Sequence, residues 1–102
     1  MIHPREIEIL NILAGSHEPM ISVDIIVAAG GVLSQSTVMA VLRKLLSLGY
    51  IEVEDIVYSG RVLSRAYRVT EVGKNAVLDW CVANYQSVGN IVTKEEIIER
   101  LK

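Results

Sequence analysis

Residues 33–51 read LSQSTVMAVLRKLLSLGYI, and this stretch decides the fold. Ser34 stands where a helix N-cap belongs, and Gly49 where a helix commonly ends, so the segment predicts a helix over about 35–48. At about 100° per residue, Val38, Leu42 and Leu45 fall in one sector, with Val41 and Leu46 flanking it. The opposite face carries Ser36, Thr37, Ala40, Arg43, Lys44 and Ser47. One side of the helix is therefore built for a core. The other is small, polar and basic.

Upstream, Ser22 is placed as the N-cap of a helix over 23–29, closed by Gly30-Gly31. Two helices with a short glycine-containing joint match a helix-turn-helix. Met20-Ile21 is too short to judge by pattern. Residues 4–14, PREIEILNILA, predict a first helix. Pro4 suits its first turn, and Ile7, Leu10 and Leu13 share one face. Residues 25–42 carry no charge, which approaches the length of a membrane span, but Gly30-Gly31 and Ser34–Thr37 interrupt it with groups costly in lipid.

Downstream the period changes. In YIEVEDIVY, residues 50–58, Ile51 and Val53 alternate with Glu52 and Glu54. VLSRAYRV, residues 62–69, reads as a returning strand. Placing Ile51, Val53, Tyr67 and Val69 on one face pairs 53 with 67 and 51 with 69. That register sets Glu52 opposite Arg68 and Asp55 opposite Arg65, and implies an odd-length turn, Ser59-Gly60-Arg61, or a bulge. Thr70 is placed as the cap of a helix over about 71–86. Residues 87–92 read as a linker. Thr93 with Glu96 forms a capping box for a last short helix, KEEIIERLK.

The order helix, short strand, helix, turn, helix, hairpin is that of a winged helix-turn-helix, and here the resemblance reaches residues. Leu33–Val38, Leu42-Arg43-Lys44-Leu45 and Leu48-Gly49-Tyr50-Ile51 look like the recognition helix of winged-helix repressors. Arg65–Gly73 looks like the return strand of the wing running into the next helix. Together, over residues 5 to about 80, the chain resembles the PadR family and, more loosely, the MarR family. Its C-terminal region is shorter than the helical dimerisation region usual in PadR-like proteins. The resemblance implies a dimeric DNA-binding transcriptional regulator of mainly α, α+β architecture: a three-helix core, a β-hairpin wing and a C-terminal dimerisation helix. Residues 1–72 would form the DNA-binding unit and 73–102 the dimerisation segment.

The residues give this expectation a physical basis. Small side chains let a helix approach the floor of a major groove, and Arg43 can bond bidentately to guanine. Gln35 and the hydroxyls of Ser34, Ser36 and Thr37 lie near the helix N-terminus, where phosphate or base edges can be met. Ala40 and Lys44 complete the face. A solvated helix face would look the same in isolation, so the hairpin matters. Residues 34–70 hold five basic and three acidic side chains, a balance of +2, while the rest of the chain carries −4. Arg61, at the hairpin tip with no facing acid, is the leading wing contact. Arg65 and Arg68 either join it or only balance Asp55 and Glu52.

Composition bounds the alternatives. The chain has 102 residues, 51% of them hydrophobic, and a net charge of −2, so it is one small domain and not an indiscriminate polycation. Cys81, the single cysteine, cannot form an internal disulfide, which fits a reducing cytoplasm. The apolar surplus calls for a second buried surface, and a homodimer interface through Val77, Trp80, Cys81 and Tyr85 supplies one. His3 and His17 lack neighbours at metal-ligand spacing. No phosphate-binding glycine loop and no nucleophile–base–acid set can be assembled, so neither a cofactor nor an enzymatic activity is expected, and nothing specifies a small-molecule effector. Two rival readings remain: a winged helix used as a protein-interaction module, and a plasmid or phage replication or partition protein binding repeated DNA sites.

Overall fold

The computed structural model describes residues 2–59 and 62–87. Three helices, α1 (Pro4–Ala14), α2 (Ser22–Ala28) and α3 (Gln35–Ser47), precede a hairpin of β1 (Ile51–Ser59) and β2 (Val62–Val69), and α4 (Glu71–Ser87) follows. Arg61, the linker from residue 88 and the expected last helix lie outside the described residues, as does the side chain of Tyr85.

The core forms where the three helices meet the base of the hairpin. Ile9, Leu10, Ile25, Val38, Leu42 and Leu45 are completely buried, and Ile51, Tyr67, Val69 and Val77 close the cluster. Each helix contributes its apolar stripe. Deleting any one of these buried aliphatic side chains to Ala typically costs about 2–5 kcal/mol.

Local chemistry sets the helix boundaries. The α1 cap is His3, whose Nδ1 accepts from the Arg5 N–H (3.2 Å) while Glu6 accepts from the His3 N–H (3.1 Å). Ser22 is not the cap of α2. The cap is Ile21, in extended conformation and with no side-chain bond, so Ser22 is the first helical residue. The physical reason is the strand before it: Met20 and Tyr67 exchange two backbone bonds (2.9 and 2.8 Å), and the chain enters α2 directly from that bridge. Gly30 and Gly31 then both take positive φ (84° and 73°), a turn open to glycine at little cost. This turn breaks the uncharged stretch into α2 and α3. Among the described residues, no helix is long and apolar enough to cross a membrane.

In the hairpin, Ile51 pairs with Val69, Glu52 with Arg68 and Val53 with Tyr67, as the alternation predicts. Beyond that the register shifts. Asp55 stands opposite Ala66, not Arg65, and Arg65 is paired with Ile56. Glu54 is the extra residue of a β-bulge. Ser59 pairs with Val62, leaving two residues for the connection and not the odd number expected without a bulge. The sequence does contain the reason: apolar positions run 51, 53 and then 56, 58, and one inserted residue keeps all four on the same face.

Candidate nucleic-acid interface

The candidate surface is built from α3 outward. Its inner side, Val38, Leu42 and Leu45, is fixed in the core at 0% exposure, which sets the rotation of the helix about its axis. Gln35, Ser36, Ala40, Arg43, Lys44 and Ser47 are consequently exposed, and Thr37 is half-buried. Ser34 caps the helix, accepting from the Thr37 N–H (3.2 Å), and its hydroxyl also bonds those of Thr37 (2.9 Å) and Ser36 (3.1 Å). The hydroxyls are thus ordered against one another. The N–H groups of Gln35 and Ser36, in the first turn, have no intrahelical acceptor and point out along the positive end of the helix dipole.

Arg43 and Lys44 diverge in their surroundings. Among the described residues neither forms an ion pair. Lys44, though exposed, also borders an open groove of about 450 Å³ whose other walls include Glu6, Leu48, Tyr50, Asp79 and Trp80. Arg43 does not line it, so Arg43 is the cation committed to the outer face.

The two described wing arginines do not act together. Positions 65 and 68 are three apart on β2, so they lie on opposite faces of the hairpin. Arg68 is held by Glu54, Nε to Oε2 at 2.6 Å, both side chains partly exposed. The bulge residue thus takes the arginine that strand pairing alone would have given to Glu52. Such a surface pair contributes about 0–1 kcal/mol, so it restrains Arg68 without removing its charge. Arg65 is exposed, without an ion-pair partner among the described residues, on the face shared with Ile56, Tyr58 and Leu63. These three are 54%, 76% and 54% exposed, an apolar strip that continues the core face out along the wing.

On α4, Val77 is 1% exposed and belongs to the protomer's own core, so it supports the helix and offers no surface. Trp80 is 36% and Val72 57% exposed. Trp80 also borders a second groove, with Pro4, Ile7, Glu8, Asn11, Val77 and Cys81, along the α1–α4 contact. Cys81 is a free thiol, half-buried, and burial pushes its pKa up. The role that sequence reasoning missed here is that of Glu54, the bulge residue that takes Arg68. A signal existed for Glu54 in the phase change of β1. His3 stands at the start of α1, as its place before Pro4 suggests, although imidazole is not among the side chains usually expected at a cap.

Neither a protein-family model nor a curated protein matches the sequence. A solved structure does: Bacillus subtilis PadR, in complex with operator DNA, superposes with a TM-score of 0.66 at 22% sequence identity. The match covers 78% of this chain and 49% of that one, so the chain spans about half the length of the PadR it resembles. The fold is a PadR-like winged helix-turn-helix.

Proposed function

We propose that the protein is a sequence-specific regulator of transcription that binds a short inverted repeat in double-stranded DNA as a homodimer and represses by occlusion. The observation that carries this reading is the division of α3. A fully buried apolar side orients the helix, and a small, polar and basic side is left to solvent. In a major groove, Ser36, Ala40 and Ser47 allow close approach. Arg43 reads a base edge, and Lys44 with the first-turn N–H groups engages phosphate. Arg65, and Arg61 in the hairpin connection, meet the flanking backbone, while Arg68 is shared with Glu54. The PadR of similar fold is a DNA-bound protein, which supports the same use of this surface.

Each copy supplies few cations, which is why two are needed. A two-fold pair of reading helices about 34 Å apart would face successive turns of one side of B-DNA and double the phosphate contacts. Residues 73–102 are assigned to that pairing and 1–72 to DNA. The α4 surface around Trp80 and Cys81, with Tyr85 further along, is the candidate seam. Selection of bound fragments from random DNA is expected to recover two inverted half-sites with centres about 10 base pairs apart. Recovery of no enriched sequence would contradict the reading. It would favour the second one, a protein-interaction module, for which the exposed apolar strip of Ile56, Tyr58 and Leu63 is the supporting observation.

A further inference from the structure

The segment from Tyr67 to Gly73 makes a connection that base reading alone does not require. Helix α3 ends with Gly49 and Tyr50 donating back to Leu46 and Leu45 (both 3.0 Å). The carbonyls of these same two residues are then taken by one side chain and one amide of Thr70. Its hydroxyl donates to the Gly49 carbonyl (2.7 Å), and its N–H donates to the Tyr50 carbonyl (2.9 Å). The same hydroxyl accepts from the Gly73 N–H (3.1 Å), so Thr70 is also the cap of α4. Gly73 completes the junction. A Cβ there would overlap the Tyr50 carbonyl oxygen, so the first turn of α4 lies directly against the backbone that leaves α3.

We propose that Thr70 and Gly73 form a rigid joint through which α4 sets the tilt of the reading helix, which makes Thr70 a positioning residue for DNA binding. The inference rests on the functional reading above. A hydroxyl is needed because it donates to one helix while accepting from the other. Helix α3 has 13 residues and is about 20 Å long, so a tilt of about 5° at its C-terminal end moves the N-terminal contacts by nearly 2 Å. The groove bordered by Lys44 of α3, by Leu48 just past its end and by Ala76 and Trp80 of α4 is where such a tilt would open or close. A subunit contact on α4 thereby fixes the angle at which each protomer presents α3.

Three variants test this. Thr70→Val removes both hydroxyl bonds, and Thr70→Ser keeps both. Thr70→Asp still accepts from Gly73 and caps α4, but its carboxylate cannot donate to Gly49, so the fold is kept while the tie is cut. Affinity for a selected duplex is measured where circular dichroism shows each variant folded. We expect at least a tenfold loss for Thr70→Val and Thr70→Asp, and Thr70→Ser within about twofold of wild type, with the salt slope lowered by less than one because every cationic side chain is kept. In parallel, spin labels at positions 35 and 75 on a Cys81→Ser background, diluted with unlabelled protein, report the α3–α4 distance without DNA. It should shift or broaden in Thr70→Asp and not in Thr70→Ser. Lowered melting temperatures with unchanged affinity and label distance would reduce Thr70 to a stabilising bolt and overturn the proposal. If wild type binds no DNA, the functional reading fails, and the label distances alone decide the joint.

Discussion

Arg43 and Arg65 are both exposed arginines, yet the backbone assigns them different work. Arg43 sits mid-helix on the face opposite Leu42 and Leu45, where a guanidinium can reach a base edge. Arg65 stands exposed on a strand of the wing, where the proposed binding mode brings flanking phosphates. Arg43→Ala should therefore cost about 1–3 kcal/mol on a selected site and relax the preference at one position. Arg65→Ala should weaken all sequences alike and lower the salt slope by about one, both read by fluorescence anisotropy. Cys81 gives a separate check on α4. Burial raises its pKa, so less thiolate exists at neutral pH, and alkylation by iodoacetamide should run slower than that of free cysteine. Equal rates would mean that the α4 surface is more open than described. At this scale the sequence was legible where a side chain has one conventional job, as at Ser34. At Thr70 it yields the cap of α4 but not the second bond, to the Gly49 carbonyl, and it is opaque where a role is set by a neighbour's displacement, as for Arg68.

At the scale of elements, α1, α3 and α4 keep their expected bounds to within a residue or two, α1 and α3 because each buries a single stripe. Helix α2 starts one residue early, since the Met20–Tyr67 bridge dictates how the chain enters it. The hairpin shows a sharper lesson. Its base obeys simple alternation, and its outer half obeys the same rule displaced by one residue. Without Glu54 the strand would read IEVDIVY, in which Ile51, Val53, Ile56 and Tyr58 fall at every second position. Deleting Glu54 should therefore leave the fold intact and change stability by no more than about 1 kcal/mol, the size of the lost ion pair with Arg68. It should straighten the wing and reduce the part of the affinity that Arg65 carries, because bulges re-aim the strand beyond them. Urea unfolding beside a DNA titration checks both. Large destabilisation would mean that the bulge serves packing instead of aim.

The whole molecule is a small acidic domain in which residues 34–70 hold five of the ten basic side chains against three of the twelve acidic ones. That polarity was legible in the sequence because it depends only on the order of charged residues. The fold it sits on was legible because Leu33–Ile51 carries core, cap and exposed face in one stretch. The partition of α4 was not. Val77 and Trp80 are near neighbours in one broad stripe, and only packing against α1 sends the first into the core and leaves the second at the surface. What α4 covers with that surface decides whether two copies with few cations each act as one strong reader. The most direct test is therefore collective: anisotropy titration of a selected duplex at about 50 and 200 mM salt. If two protomers together neutralise six or more phosphates, the affinity falls by about 10³ or more between the two. Weak binding that is equal at both salts would contradict the account.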